Sequence, residues 1–138
     1  MKNMEPLTPS KTFKLQLPYP DPALSPNASK RHWRAKQPAK QTAKTYGYYQ
    51  AVQYRSMFAG VDVLQMSLTI YPPNKKRRDL DNVFASMKPT LDGICDGLEI
   101  DDSQIHKVTL EWGDVMKSGA IELALKEYQA ARYEKVTT

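Results

Sequence analysis

The sequence predicts a single α/β domain, of the mixed α+β kind, in which a small mixed sheet of about four strands packs with two main helices. Two observations predict this class. Four short stretches alternate apolar with polar residues, the period of a half-buried strand, and one longer stretch repeats apolar residues at intervals of three and four, the period of an amphipathic helix. With 138 residues, 41% hydrophobic and 25% charged, the chain has the size and composition of one globular domain.

The first half of the chain contains a strand, a long loop and a helix. Apolar and polar residues alternate over 13–17, and Pro18 ends that strand. Four prolines lie between residues 19 and 38, which predicts a long irregular loop. A helix is predicted over 41–59, with Gly60 as its terminating residue, although the tyrosines around this helix blur its apolar face.

A second strand and a second helix follow. The alternation over 64–70 predicts the strand, and Pro72 ends it. An apolar stripe then predicts an amphipathic helix; its members are Leu80, Phe84, Met87, Leu91 and Ile94. Because Pro89 lies inside this stripe and lacks a backbone donor, we expect a kink or break near Lys88.

The last third of the chain predicts two more strands. Asp96-Gly97 is typical of a turn. Alternating stretches over 107–112 and 121–125 predict the strands, and the polar loop 113–119 between them is expected to close an antiparallel hairpin.

Composition limits the class of protein. Lysine and arginine total 20 against 15 acidic residues, a net charge of +5, which favours polyanionic partners. No run approaches the roughly 18 apolar residues of a membrane span, so we expect a cytoplasmic protein. A single cysteine, Cys95, excludes an internal disulfide and is interpreted as a small buried hydrophobe. Residues 1–11 are expected to be a flexible N-terminus, 12–127 the folded domain and 128–138 a C-terminal tail.

Two basic blocks are candidates for contact with nucleic acid. The first runs from Lys30 to Lys44 without an acidic residue, and the second is Lys75-Lys76-Arg77-Arg78. Lysine and arginine supply most sequence-independent affinity for phosphate backbones, although each block is also compatible with a solvated loop. We assign the whole second block to backbone contact, and from the first block we assign Lys30, Arg31, Trp33 and Arg34. Trp33 could stack on an unpaired base or equally anchor its loop in the core.

Two aspartates stand where the second strand and its loop give way to a helix. Asp79 and Asp81 are two positions apart, so in an extended segment they point to the same side and can share one cation. Mg²⁺ prefers a small number of carboxylates and supports phosphodiester hydrolysis. The alternative is structural, because an aspartate at this position often caps the helix.

A second acidic cluster precedes the third strand. It consists of Glu99, Asp101 and Asp102. If the third strand lies beside the second, its start can approach the end of that strand and complete a carboxylate cage. On its own, an acidic turn is more often simply solvated.

Two segments together resemble the paired signature of RusA-type crossover junction endodeoxyribonucleases. The first is Asp79-Leu80-Asp81-Asn82, and the second, some twenty residues later, is Asp101-Asp102-Ser103-Gln104-Ile105. Pro18-Tyr19-Pro20 and the downstream Asn27 are similar to that family's opening segment, so the resemblance covers roughly residues 13 to 125.

The resemblance implies a homodimer that cuts four-way DNA junctions in paired nicks during recombination and repair. It implies Mg²⁺, replaceable by Mn²⁺, as cofactor, no organic cofactor, and Asp79, Asp81 and Asp102 as catalytic metal ligands. One position departs from the family, whose helix often carries a lysine where this chain has Ala85. Lys88, one turn further along, is the candidate replacement that would hold the scissile phosphate; the alternative is a solvent-facing helix lysine.

A two-fold dimer would match the near two-fold symmetry of a four-way junction. The stripe of Leu80, Phe84, Met87 and Leu91 is a candidate for that interface as well as for the core. Two other functions stay open at this point. One is a non-catalytic basic DNA-binding module, and the other is a nuclease that acts on flaps or single strands.

Overall fold

The computed structural model describes residues 11–28 and 33–129, and within them it confirms a mixed α/β domain with a four-stranded sheet. The strands are β1 (Thr12–Leu17), β2 (Leu64–Tyr71), β3 (Ile105–Trp112) and β4 (Ala120–Glu127). The helices are α1 (Trp33–Ala51), α2 (Leu80–Ser86) and α3 (Lys88–Leu98). The predicted terminal segments 1–11 and 128–138 lie almost wholly outside the described residues.

The sheet has the order β1-β4-β2-β3, in which β2 and β3 are parallel and β4 is antiparallel to both of its neighbours. The predicted hairpin between the last two strands is therefore wrong, because β2 lies between them. The loop after β3 crosses the end of β2, where the amide of Gly113 donates to the carbonyl of Ile70 at 2.8 Å. Alternation identifies a strand, but its partners depend on burial. β4 has a fully buried face and takes a central place, whereas β3 is largely exposed and takes an edge.

The connection from β2 to β3 is a crossover formed by α2 and α3. The predicted break occurs at Met87, so that Pro89 falls in the first turn of α3, where a missing amide donor costs little. The turn predicted at Asp96-Gly97 is wrong, because α3 continues to Leu98 and ends at Glu99 in the left-handed conformation (φ 58).

Helix α1 begins and ends earlier than the sequence predicts. It starts at Trp33, inside the region predicted to be a loop, contains Pro38, and ends at Ala51. Its contact with α3 explains the weak apolar signal, because the two backbones touch through glycines. A Cβ on Gly47 would collide with the Thr90 carbonyl, and one on Gly93 would collide with the Lys44 carbonyl.

The core lies between one face of the sheet and helix α3. Its fully buried side chains come mainly from β2, β4 and the crossover: Leu64, Leu68, Ile70, Met87, Ile94, Leu98, Ile121, Leu123 and Leu125. Cys95 is buried as predicted, and burial raises the pKa of its thiol to about 11. None of the helices in the described ranges has the length and apolar character needed to cross a membrane.

Candidate active site

Asp79 occupies the N-cap position of α2 but does not cap it. Its backbone is extended (φ −91, ψ 131) and its side chain makes no capping hydrogen bond. Its Oδ2 instead accepts a long bond from Asn82 Nδ2 at 3.4 Å, and Oδ1 of Asp81 accepts from the Asn82 amide at 3.0 Å. Both aspartates are exposed. The interpretation in which Asp79 serves only as a helix cap is therefore not borne out.

An open cleft of about 1160 Å³ lies beside Asp79. Lys76, Arg77 and Arg78 line it together with Asp79 and Asn82. The second basic block and the first acidic motif therefore share one cavity, which places positive charge where a phosphate would approach the carboxylates.

Arg78 organises this cleft internally. Its guanidinium donates to the Asn74 side chain at 2.7 Å and to the carbonyls of Asn74 and Lys76 at 3.1 and 2.9 Å. It also lies 5.8 Å from the centre of the Tyr19 ring. Burial raises the pKa of Tyr19, and the nearby guanidinium acts in the opposite direction. No role was predicted for Asn74 from the sequence, and Tyr19 was cited only as part of a resemblance. A run of cations does not indicate that Arg78 is held by Asn74 of its own loop or lies over the Tyr19 ring.

Lys75, Lys76 and Arg77 point to solvent more freely. All three are exposed. In the described part of the chain, none of them forms an ion pair, since the pairs found there involve only Lys44 and Lys88. These three side chains are the members of the second block that remain available for a phosphate backbone.

Asp102 lies at the far end of the crossover from Asp79. Because β2 and β3 are parallel, the start of β3 lies beside the start of β2, where Ile105 pairs with Leu64. The expectation that this start approaches the end of β2 is therefore wrong. Among residues 11–28 and 33–129, no three His, Cys, Asp or Glu side chains lie close enough together to hold a metal ion.

Asp102 instead pairs with Lys88. The Nζ of Lys88 is 4.0 Å from Oδ2 of Asp102, and the two side chains are 58% and 64% exposed. Lys88 follows Asp81 by two helical turns along the broken crossover, with Ala85 between them. The structure thus brings two of the predicted site residues together, Lys88 and Asp102. Asp79 and Asp81 do not lie in one extended segment as predicted, because Asp81 is already in the first turn of α2. The two aspartates are linked through Asn82, which donates to both.

The neighbouring acid Asp101 has a structural role. Its Oδ1 accepts from the Ser103 amide at 2.9 Å, while its own amide donates to Gln104 Oε1 at 2.7 Å, which makes a capping box. The bond from Ser103 lowers the pKa of Asp101. This box fixes the turn before β3 and leaves Asp102 to face Lys88.

The first basic block is only partly described. Lys30 and Arg31 lie outside the described residues, and for Trp33 only the backbone, at the start of α1, is described. Arg34 lies in the first turn of α1 and is exposed. The interpretation of Trp33 as a base-stacking residue stays a prediction.

Comparison with known proteins shows one clear relationship. No protein-family model matches the chain. A protein of Xylella fastidiosa (strain Temecula1 / ATCC 700964), itself described as uncharacterized, is 33% identical over 116 residues, which cover 80% of this chain and 74% of that protein. Identity of this degree over most of both chains shows common descent and a shared fold. The chain therefore belongs to the same protein family as this Xylella fastidiosa protein.

Proposed function

We propose that the chain is a Mg²⁺-dependent, structure-selective endodeoxyribonuclease of the RusA type, which resolves Holliday junctions by paired phosphodiester cleavage in DNA recombination and repair. One observation carries the proposal. Asp79 stands at the start of α2 without capping it and faces a cleft lined by Lys76 and Arg77. An exposed carboxylate that makes no capping bond and accepts only a long bond from Asn82, beside cations without an ion-pair partner in the described ranges, suits the handling of a phosphate.

The residues present fit a hard divalent cation. Mg²⁺ usually takes one or two protein carboxylates and fills its other positions with water and substrate phosphate oxygens. Asp79 and Asp81 are two exposed oxygen donors at one helix start, so the proposed site does not need a third carboxylate from the same chain. Mn²⁺ favours the same oxygen donors. When bound, the ion would neutralise charge on the phosphate and activate water.

The chain's own residues would then position the DNA. Lys75, Lys76 and Arg77 contact the phosphate backbone next to Asp79, and Arg78 holds their loop in shape through Asn74. Lys88 lines the neighbouring groove between α1 and α3 and not the cleft at Asp79, and from there it would reach the scissile phosphate and neutralise the charge that develops on it. Asp102 enters the site through Lys88, as a positioning residue, and this replaces its predicted role as a third metal ligand.

A homodimer is part of the proposal. Met87 and Leu91 are buried in the core at 1% and 6% exposure, so most of the predicted interface stripe is already used. The edge strand β3 offers another apolar surface, since Val108 and Trp112 are 43% and 42% exposed. Phe84, Val108, Lys88 and Asp102 line one cavity, so a second copy on this edge would lie next to the site. The proposal also includes a cytoplasmic location and DNA as the partner.

A non-catalytic DNA-binding module is the second candidate. The observation that favours it is the separation of Asp102 from Asp79 and Asp81 within the described chain. A synthetic four-way junction, a duplex and a single strand, each with and without Mg²⁺, distinguish the candidates. Cleavage of the junction alone, only with Mg²⁺, supports the proposal. Binding without cleavage supports the module, and cleavage of flaps or single strands supports a nuclease of another specificity.

A further inference from the structure

A second basic groove, which we call the α1 groove, is separated from the cleft at Asp79 by the segment 20–28. It has a volume of about 430 Å³ and runs between α1 and the start of α3. Four lysines line it, Lys36, Lys40 and Lys44 from α1 and Lys88 from α3, together with one acidic residue, Asp92. None of the three α1 lysines has a role in the function proposed above.

The α1 lysines form a regular row. They follow one another at intervals of four residues, which places them on one face of the helix at steps of about 6 Å along its axis. Lys40 and Lys44 are exposed. The Nζ of Lys44 lies 3.7 Å from Oδ2 of Asp96, and the two side chains are 53% and 61% exposed. Exposed ion pairs of this kind are weak, so a phosphate can compete with Asp96 for Lys44. Lys36 and Lys40 form no ion pair with any residue in the described ranges.

The segment 20–28 forms a fixed ridge between this groove and the cleft at Asp79. Leu24 and Pro26 line the α1 groove, whereas Pro22 and Ser25 line the cleft. The ridge is anchored by Leu24, which is 7% exposed. It is also held in shape by the Asp21 carboxylate, which accepts from the Ala23 amide at 2.8 Å.

Helix α2 contacts the ridge and contributes residues to both cavities. Asp79 lines the cleft on one side, and Ala85 lines the α1 groove on the other. Asp81 precedes Ala85 by one helical turn on the same face. Asp79 therefore lines the cleft, whereas Asp81 lines neither cavity and lies on α2 between Asp79 and Ala85.

We propose that the α1 groove binds the phosphate backbone of a second duplex arm, while the cleft at Asp79 binds the first arm and the ridge 20–28 enters the branch point between them. The proposal rests on the proposed function for the identity of the polyanion and adds how branched DNA is selected. On this proposal a single duplex arm engages one cavity, whereas two diverging arms engage both. Selection of branched DNA then follows from the position of the two cavities and does not require contacts to particular bases.

The test compares two triple variants with the same change in charge. The groove variant is Lys36→Gln, Lys40→Gln and Lys44→Gln, and it leaves Lys88 intact because that residue belongs to the proposed site. The control variant is Lys14→Gln, Lys107→Gln and Lys126→Gln, three exposed lysines on β1, β3 and β4. Binding to a labelled four-way junction and to a single duplex arm is measured by fluorescence anisotropy in EDTA, over a range of salt concentrations. Circular dichroism confirms that each variant is folded.

The groove variant should lose at least about tenfold in junction affinity. The slope of log K against log salt concentration should become less negative by about two to three, since each lost phosphate contact contributes about 0.9 to that slope. Its affinity for the duplex arm should fall much less, by about threefold or under. The control variant should lose no more than about threefold on either DNA. Equal junction affinities of the groove and control variants would overturn the proposal, as would a native chain that binds the junction no better than the duplex.

Cleavage by the native chain in Mg²⁺ separates this inference from the proposed function. If the native chain cuts junctions while the two variants bind alike, the nuclease stands and the second arm site is refuted. If the groove variant loses junction affinity but the native chain never cuts, the second arm site stands and the nuclease is refuted.

Discussion

Lys88 and Asp102 face each other across the crossover, with Nζ 4.0 Å from Oδ2. They come from the start of α3 and from the turn before β3, which are separated by the whole length of α3. The pair therefore connects the middle of the crossover with its far end, and it is the only ion pair between predicted site residues in the described part of the chain.

If Asp102 acts by positioning Lys88, their variants should not be additive. Lys88→Gln should lower the cleavage rate by about 100-fold, as removal of a charge-stabilising donor does, and Asp102→Asn should lower it by about tenfold because Lys88 remains. The double variant should resemble Lys88→Gln alone. Lys88→Arg should recover part of the rate.

Rates of junction nicking under single-turnover conditions measure these effects. Multiplicative losses in the double variant would show that Asp102 acts independently of Lys88, for instance as a metal ligand. Because both side chains are mostly exposed, the free energy of unfolding should change by less than about 0.5 kcal/mol in every variant.

The missing cap of Asp79 predicts a contrast in stability with Asp101. Asp79→Ala removes no capping bond and should change the free energy of unfolding by less than about 0.5 kcal/mol. Asp101→Ala removes a capping box and should cost about 1 kcal/mol. Urea denaturation followed by circular dichroism measures both.

Activity should show the reverse order. Asp79→Ala should abolish Mg²⁺-dependent cleavage, whereas Asp101→Ala should retain it while the protein is folded. A destabilised Asp79→Ala protein would mean that this aspartate supports the helix after all.

The α1–α3 contact predicts a severe effect of adding one methyl group. Gly93→Ala would drive a Cβ into the Lys44 carbonyl, and since two helix backbones must separate, we expect a loss of about 3 kcal/mol. Gly60→Ala is the comparison, because nothing lies within 4 Å of a Cβ there and only the positive φ of +80 opposes it, at about 1 to 2 kcal/mol. Equal losses in thermal denaturation would contradict the close packing of the helices.

These comparisons also show what the sequence can and cannot predict. Alternation is local, so the four strands and the break at Met87 could be predicted. Strand order is not local, and the insertion of β4 between β1 and β2 depends on which faces are buried. The bounds of helix α1 could not be predicted, because α1 packs against α3 through Gly47 and Gly93, and glycines produce no apolar stripe in the sequence.

In the candidate site, too, local features could be predicted from the sequence and non-local ones could not. The position of Asp79 and Asp81 at a helix start could be predicted from the chain, but the lack of a cap bond could not, since it depends on the Asp79 rotamer. The position of Asp102 before β3 was likewise predictable. The separation of Asp102 from Asp79 could not be predicted, because it depends on β2 and β3 being parallel.

The exposed edge of β3 predicts how the dimer is disrupted. Val108→Asp places a charge among the apolar side chains of the proposed interface and should give a monomer. Thr109→Asp is the matched control, because the next residue of a strand faces the opposite side of the sheet, and it should leave the dimer intact. Sedimentation velocity at micromolar concentration decides. A monomeric native chain, or a dimer that survives Val108→Asp, would contradict this interface.

The central claim is that Asp79 and Asp81 hold a hard cation for cutting branched DNA, and junction cleavage by the native chain and by Asp81→Asn tests it most directly. The native chain should introduce paired nicks in a synthetic four-way junction only when Mg²⁺ or Mn²⁺ is present. Asp81→Asn should bind the same junction at least as tightly and leave it intact. Failure of the native chain to cut at any Mg²⁺ concentration, or cleavage by Asp81→Asn at the native rate, would contradict the account.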